Sequence, residues 1–131
     1  MKITLEGGMS TEKDIYHKLK HTFPLIDFTR IETMTKSGIP DLNYCTKEGI
    51  EGWIELKIGI TRLKPSQVAW HTRAIAFHRR AFILTLHYDV FNLFRTKKFI
   101  PIDSRHFTPH EQPLVSSKEL SNISICLTST Y

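Results

Sequence analysis

The sequence predicts an α/β protein in which helices flank one central, mixed β-sheet. Three observations support this fold class. Near the N-terminus apolar residues recur every four positions, as they do on one face of an amphipathic helix. Two apolar segments, residues 81–88 and 90–96, have the length and composition of buried strands. A second helical pattern opens at Pro65, and proline is favoured in the first turn of a helix.

The first helix is predicted over residues 11–22 and is followed by Pro24. Thr11 and Asp14 have the spacing of a capping box. Glu12 lies three residues before the first apolar position and therefore shares the apolar face of the helix. That face consists of Ile15, Leu19 and Phe23.

Five strands are predicted around the second helix, which should run from Pro65 to about Arg80 with Gln67 on its apolar stripe. That stripe consists of Trp70, Ala74 and Phe77. The strands are predicted at residues 28–34, 39–45, 52–60, 81–88 and 90–96. Residues 101–131 form a C-terminal extension, whose end from Asn122 reads as either one more strand or a loose terminus.

Composition limits the class of protein. The chain has 131 residues, which is typical of one domain with a real core, and its formal net charge is +5. A basic chain favours an anionic partner, most commonly nucleic acid. A mildly basic enzyme that binds no polyanion could have the same net charge. Cys45 and Cys126 are isolated, so no disulfide framework or cysteine-rich zinc site is predicted. Without a signal peptide or membrane span in the sequence, we expect a cytoplasmic, intracellular protein, in the host cytoplasm if a phage encodes it.

The third predicted strand carries the residues that point to chemistry. Because strand side chains alternate, Glu55 and Lys57 share one face while Ile54, Leu56 and Ile58 would pack the other. If the second and third strands form a hairpin, Asp41 converges with Glu55. Two inward carboxylates repel each other, and a divalent cation such as Mg²⁺ resolves that repulsion.

An E-x-K triplet alone is more often a solvent-facing ion pair. Here the context favours chemistry, because a P-D pair opens the preceding strand and Gln67 follows on the buried stripe of the next helix. Zinc is disfavoured, since two histidine pairs with i, i+4 spacing lack an H-E-x-x-H motif. The sequence also has no nucleophile elbow and no glycine-rich phosphate loop.

The ordered motifs GIPDL, WIELK and LKPSQVAWH resemble the PD-(D/E)xK nuclease superfamily, and within it the VRR-NUC and Holliday-junction-resolvase-like group. The resemblance spans residues 12–94 and implies a restriction-endonuclease-like core. It implies that Asp41, Glu55 and the backbone carbonyl of Leu56 ligate Mg²⁺, for which Mn²⁺ can substitute. Lys57 would be the catalytic lysine, with Gln67 and Glu12 as the additional catalytic polar residues.

The resemblance implies a metal-dependent DNA endonuclease, expected as a homodimer with no nucleotide cofactor and no membrane. Branched or junction DNA is the expected substrate, since no separate DNA-reading motif is seen. A sequence-specific homing or restriction-type enzyme, or a non-catalytic DNA-binding protein on the same scaffold, are the alternatives. The basic residues expected to contact DNA phosphates are Lys36, Arg62, Lys64, Arg73, Arg79 and Arg80.

Overall fold

The structure, a computed structural model, describes residues 9–31 and 38–129. It contains two long helices, eight strands and a short helical segment near the C-terminus. In chain order the elements are α1 (Glu12–Thr22), β1 (Asp27–Arg30), β2 (Leu42–Cys45), β3 (Glu51–Ile58), α2 (Pro65–Ala76), β4 (Ala81–His87), β5 (Val90–Phe94), β6 (Phe99–Pro101), β7 (Phe107–Pro109), β8 (Val115–Ser117), a 3₁₀ helix (Leu120–Ile123) and α3 (Ser124–Thr128).

Six strands form the main sheet in the order β1-β2-β3-β4-β5-β8, and β6 and β7 form a separate hairpin. The β3–β4 pair is parallel, and α2 makes the crossover between its two strands. All other pairs in the main sheet are antiparallel. The predicted α/β class, a central mixed sheet flanked by helices, is therefore confirmed.

The two faces of the sheet have different roles. One face presents Ile54 and Leu56 to a large apolar core, which also receives residues of α1 and of the C-terminal helices. The other face presents Trp53, Glu55 and Lys57 on the side of α2, and the rings of Trp53 and Trp70 meet edge-on with centroids 5.5 Å apart. The alternation of β3 thus separates the main core from the face that carries the charged residues.

Helix α1 begins as the sequence predicts. The Asp14 backbone N–H donates to the Thr11 hydroxyl at 3.1 Å, and the Thr11 N–H donates back to the Asp14 carboxylate at 3.0 Å. This capping box satisfies donors that a helix N-terminus leaves free. Ile15 and Leu19 are completely buried, as predicted, while Phe23 is half-buried at the C-terminal cap.

The prediction for α2 was too long at its C-terminus. The helix ends at Ala76, because the chain turns through His78 with φ of 59°, and by Arg80 it already pairs with β3. Phe77 therefore lies beyond the helix and is 73% exposed, so its assignment to the apolar stripe was wrong. The buried residues of α2 are His71 and Ala74.

Two strand predictions also need correction. The predicted strand at 28–34 is seen as β1 up to Arg30, and its last three residues lie outside the described part of the chain. Ile58 was expected to pack in the core but is 37% exposed, because β3 ends there and the chain leaves the sheet at Gly59. The other strands agree with their predicted positions to within a few residues.

The C-terminal extension is folded through residue 129, and neither alternative for its end was right. Strand β8 pairs with β5, and the 3₁₀ helix and α3 then close over the core with Leu120, Ile123 and Leu127 buried. The Tyr44 hydroxyl donates to the Leu127 carbonyl at 2.8 Å, and the Arg80 guanidinium donates to the Cys126 carbonyl at 2.5 Å. These bonds satisfy carbonyls at the C-terminal end of α3.

Within residues 9–31 and 38–129, no helix combines the length and apolar character that a membrane crossing requires.

Candidate active site

Strand β3 places an acid and a base side by side beneath α2. Glu55 is only 3% exposed, and its Oε2 lies 3.9 Å from the Nζ of Lys57, whose side chain is half-buried. The two residues share a face because they are two positions apart on one strand. The predicted juxtaposition of Glu55 and Lys57 is therefore present.

Asp41 reaches the same place from the neighbouring chain segment. It lies immediately before β2, and its Oδ2 accepts a hydrogen bond of 2.8 Å from the backbone N–H of Leu56. Regular pairing of β2 with β3 stops at Leu42 opposite Ile54. Beyond that pair, the Asp41 side chain replaces the β2 backbone as the hydrogen-bond acceptor of β3. The predicted convergence of Asp41 with Glu55 across the hairpin is thus present as well.

The ladder also explains the proline that precedes Asp41. Trp53 and Gly59 donate their N–H groups towards β4, so Leu56 presents its N–H and carbonyl on the opposite side, towards β2. Extending the register by two residues puts Pro40 opposite Leu56, and proline has no N–H to donate. Pro40 therefore cannot satisfy the Leu56 carbonyl, which points to the side where Asp41 lies.

Burial and like charge make it unfavourable for Glu55 and Asp41 to be ionised together. Burial, repulsion from Asp41 and a hydrogen bond with the Asp41 carboxyl raise the pKa of Glu55 to about 9, while Lys57 opposes the shift. As a carboxylate, Glu55 has one oxygen, Oε1, that is buried without a hydrogen-bond partner. A proton shared with Asp41 or a bound cation would satisfy that oxygen.

Gln67 on α2 connects the acid to the lysine. Its Nε2 donates to Glu55 Oε2 at 3.2 Å, and its Oε1 accepts from Lys57 Nζ at 3.3 Å. The same oxygen accepts from the backbone N–H of Lys64 at 2.9 Å and so caps the first turn of α2. One amide thereby fixes both charged groups relative to the start of the helix.

Gly38 holds the loop before Asp41 against that helix start, a role that the sequence did not reveal. Its φ is +86°, and an added Cβ would lie 2.2 Å from the Ser66 carbonyl oxygen and 3.1 Å from the Gln67 nitrogen. Only glycine fits this approach. The motif spacing G-x-P-D was a visible signal, but the partner of Gly38 could only be identified from the structure.

Glu12 lies at the edge of the cluster. Its side chain is largely exposed, yet partial desolvation and the charge of Asp41 raise the pKa of its carboxyl, while Lys57 lowers it. Glu12 is thus within electrostatic range of the site, on the helix face that the sequence predicted.

In the described part of the chain no three acidic, histidine or cysteine side chains are close enough to share one metal ion. A metal there would need main-chain oxygens and water besides Asp41 and Glu55.

The basic residues predicted to contact DNA differ in position. Lys36 lies outside the described residues, and Arg80 is turned towards the carbonyls of α3, with its guanidinium 5.5 Å from the ring centre of Phe82. The geometry therefore gives Arg80 a structural role, and its contact with DNA stays a prediction. The four that have exposed side chains are Arg62, Lys64, Arg73 and Arg79.

The mixed sheet, the α2 crossover and the helices on either face define a restriction-endonuclease-like fold, which is the fold of the PD-(D/E)xK nucleases. Two solved structures with this fold are similar to the chain.

One is Hjc of Archaeoglobus fulgidus, a Holliday junction resolvase from an archaeal hyperthermophile, with a TM-score of 0.59 and 14% sequence identity over 86% of this chain and 94% of that chain. The other is a VRR_NUC domain, with a TM-score of 0.50 and 20% identity over 60% of this chain and 88% of that chain. No protein-family model and no curated protein sequence matches the chain. At these identities the likeness establishes the fold, and the fold predicted from the motifs is confirmed.

Proposed function

We propose that the protein is a Mg²⁺-dependent DNA endonuclease that hydrolyses phosphodiester bonds. The observation that carries the proposal is the convergence of Asp41, Glu55, Lys57 and Gln67: Gln67 bonds to both Glu55 and Lys57, and Asp41 bonds to the Leu56 N–H and contacts the Glu55 carboxyl. The similarity in fold to a Holliday junction resolvase and a VRR_NUC domain supports the same assignment.

The residues present fit a divalent cation. Glu55 has a buried oxygen without a partner, Asp41 adds a second carboxylate, and the Leu56 carbonyl faces their side. These three groups would hold Mg²⁺, or Mn²⁺ in its place, because hard cations take oxygen ligands. A cation bound there would neutralise phosphate charge and lower the pKa of a coordinated water.

Lys57 and the side-chain amide of Gln67 supply the remaining groups of the proposed active site. Lys57 places its Nζ 3.9 Å from Glu55 Oε2, where it would orient the attacking water or donate to the phosphate oxygens as negative charge develops. Gln67 holds that Nζ in place, which limits the reorganisation needed in the transition state. Glu12 adds negative charge at the edge of the site and would hold water molecules there.

A branched or junction DNA is the proposed substrate. The exposed arginines and lysine near α2 would contact phosphates, which position a duplex without reading its sequence. The described residues consist of the main sheet, its helices and the short β6–β7 hairpin, and they contain no helix-turn-helix or zinc-finger module that would read a DNA sequence. A homodimer, which would present two such sites to two strands, is part of the proposal.

A sequence-specific homing or restriction-type nuclease is the second candidate, because it would use the same fold and site. A DNA-binding protein without activity is disfavoured by the intact acid, acid and lysine set with its connecting glutamine.

The test is a panel of linear, nicked, flapped and four-way DNAs, incubated with Mg²⁺, Mn²⁺ or EDTA, with the cuts mapped. We expect cleavage of a branched DNA in Mg²⁺ and none in EDTA, and we expect Asp41→Ala and Lys57→Ala to abolish it. Cutting of a defined linear duplex, with indifference to branches, would favour the second candidate. Wild-type cleavage rates in both variants would refute the assignment of the site.

A further inference from the structure

A row of polar side chains crosses the sheet from Lys57 to its far edge. Lys57 is in register with Thr85 on β4, Thr85 with Asn92 on β5, and Asn92 with Ser116 on β8. Register partners project from the same face of a sheet, so the row lies on the face of the candidate active site. Adjacent strands are about 4.8 Å apart, which puts Asn92 roughly 10 Å from Lys57.

Three residues of this row, Thr85, Asn92 and Ser116, line an open cavity of about 510 Å³ next to Lys57. The lining also includes the segment 59–61, which begins two residues after Lys57, and the segment 109–113, which begins at the last residue of the β6–β7 hairpin. The volume falls in the range of small-molecule sites, which is roughly 300–1,000 Å³. The cavity therefore adjoins the catalytic face and can hold one nucleotide-sized group.

The lining is polar but has little positive charge. None of the described residues that line the cavity is a lysine or arginine, and its one carboxylate, Glu111, accepts hydrogen bonds from the Thr96 hydroxyl and from the Lys97 N–H at 3.2 Å. Such a site does not suit a phosphate, which would need a cation or several free N–H donors.

The same lining suits a heterocyclic base. Asn92 contributes an amide, whose oxygen accepts a hydrogen bond of 2.5 Å from the Ser116 hydroxyl. Thr85 contributes a hydroxyl on β4, two strands in from the β8 edge of the sheet. Phe94 and His87 add aromatic side chains to the lining. Amide and hydroxyl groups pair with the edges of bases, and aromatic rings stack on their faces.

We propose that this cavity receives one unstacked nucleobase of the DNA strand, from a nucleotide next to the scissile phosphate. The inference rests on the proposed nuclease function and adds a base-binding subsite to it. The subsite would favour substrates whose bases are already unpaired near the cut, because extruding a paired base costs free energy.

The experiment uses the DNA that the full-length protein cuts best. Single abasic nucleotides are placed in turn at each position around the mapped cut, and kcat/KM is measured for each substrate. At one position the abasic substrate should be cut about tenfold more slowly, the usual scale for losing one stacked base. Ser116→Phe, which fills the cavity from an exposed position, should slow cleavage of intact DNA to the same degree and cause no further loss on the abasic substrate.

Thr29→Phe is the matched control, because Thr29 is an exposed strand residue at the opposite edge of the sheet. Thermal unfolding of both variants checks that they are folded. If every abasic substrate and the Ser116→Phe protein behave like the wild type while Lys57→Ala abolishes cleavage, the cavity proposal fails and the nuclease assignment stands. If cleavage survives Lys57→Ala, both fail.

Discussion

At the scale of single residues, the site depends on one unfavourable pairing. Glu55 is buried against Asp41, and the cost of that arrangement appears as a pKa raised to about 9 by desolvation first and by the second carboxyl next. A protein that had no use for two adjacent acids would be more stable with a neutral group at one of them. The pair is therefore evidence for a function that needs concentrated negative charge.

Gln67 should act by positioning Lys57 and Glu55. We expect Gln67→Ala to lower kcat by roughly 10- to 100-fold, because hydrogen bonds to charged groups are worth about 1.5–3 kcal/mol. KM should change little, since the amide contacts catalytic side chains. Thr72→Ala, an exposed change on the same helix, is the control in steady-state kinetics on the preferred DNA. Equal kcat values for the two variants would contradict this role.

His71 should make stability depend on pH. Burial lowers its pKa from 6.5 to about 4, so the folded protein keeps the ring neutral where the unfolded chain binds a proton. Stability contributed by the neutral ring is complete above pH 6.5 and falls as pH decreases towards 4, by up to about 1.4 kcal/mol per pH unit. Denaturant unfolding at several pH values should show this slope as the difference between the wild type and His71→Leu, because the raised pKa of Glu55 makes stability change in the opposite direction as the pH falls.

His17→Gln, whose imidazole is exposed on α1, should show no such difference from the wild type. A His71→Leu protein whose stability depends on pH as the wild type's does between pH 6.5 and 4 would contradict this role of His71.

At the scale of elements, contacts between segments decide the geometry of the site. The loop at Gly38 is pressed against the start of α2, and Gln67 at that start contacts the site residues of β3. The positions of Asp41 and Gln67 are thus set by one backbone contact as well as by the sheet. That coupling predicts that a change in the loop will alter catalysis without touching a charged group.

Two glycines allow a matched comparison of this contact. Gly38 and Gly49 both have φ of +86°, but only Gly38 has neighbours in the space that a Cβ would fill. Gly49→Ala should cost about 1–2 kcal/mol from backbone strain alone and leave kcat unchanged. Gly38→Ala should cost more and lower kcat, because it pushes the Ser66–Gln67 backbone away. Identical unfolding midpoints and kcat values for the two variants would argue against the contact.

The arginines on either side of the sheet should separate stability from DNA binding. Arg80→Met removes donors from the α3 carbonyls, and we expect it to lower the free energy of unfolding by roughly 1–3 kcal/mol. Arg73→Ala, an exposed change on α2, should leave stability unaltered and weaken DNA binding with a reduced salt dependence. Fluorescence anisotropy and chemical denaturation measure the two effects. Weaker DNA binding by a fully folded Arg80→Met protein would support the predicted contact of Arg80 with DNA.

At the scale of the whole molecule, the sheet and the charged face follow from local patterns. Alternation in β3 and the periodicity of α1 each depend on neighbouring residues, so the sequence predicts them. The C-terminal helix was missed, although Leu120, Ile123 and Leu127 recur at helical spacing. Ile123 and Ile125 alternate as in a strand, but docking of Leu120, Ile123 and Leu127 on the core makes the segment helical.

In the site, too, some features follow from local sequence patterns and others only from long-range packing. Motif order indicated Asp41, Glu55, Lys57 and Gln67, because those residue types are rare on buried faces. Long-range packing determined the orientation of Arg80, the partner of Gly38 and the cavity beyond Lys57. None of these leaves a periodic signal in the sequence.

A titration of Mn²⁺ into the metal-free protein, followed calorimetrically, tests the central claim most directly. The wild type should bind Mn²⁺, and Asp41→Ala and Glu55→Gln should each weaken binding at least tenfold, because each removes a carboxylate ligand. Lys57→Ala should retain binding, or bind more tightly, since it removes a positive charge 3.9 Å from Glu55, yet it should not cleave DNA. Wild-type Mn²⁺ affinity in both carboxylate variants, or no binding by the wild type, would contradict the account.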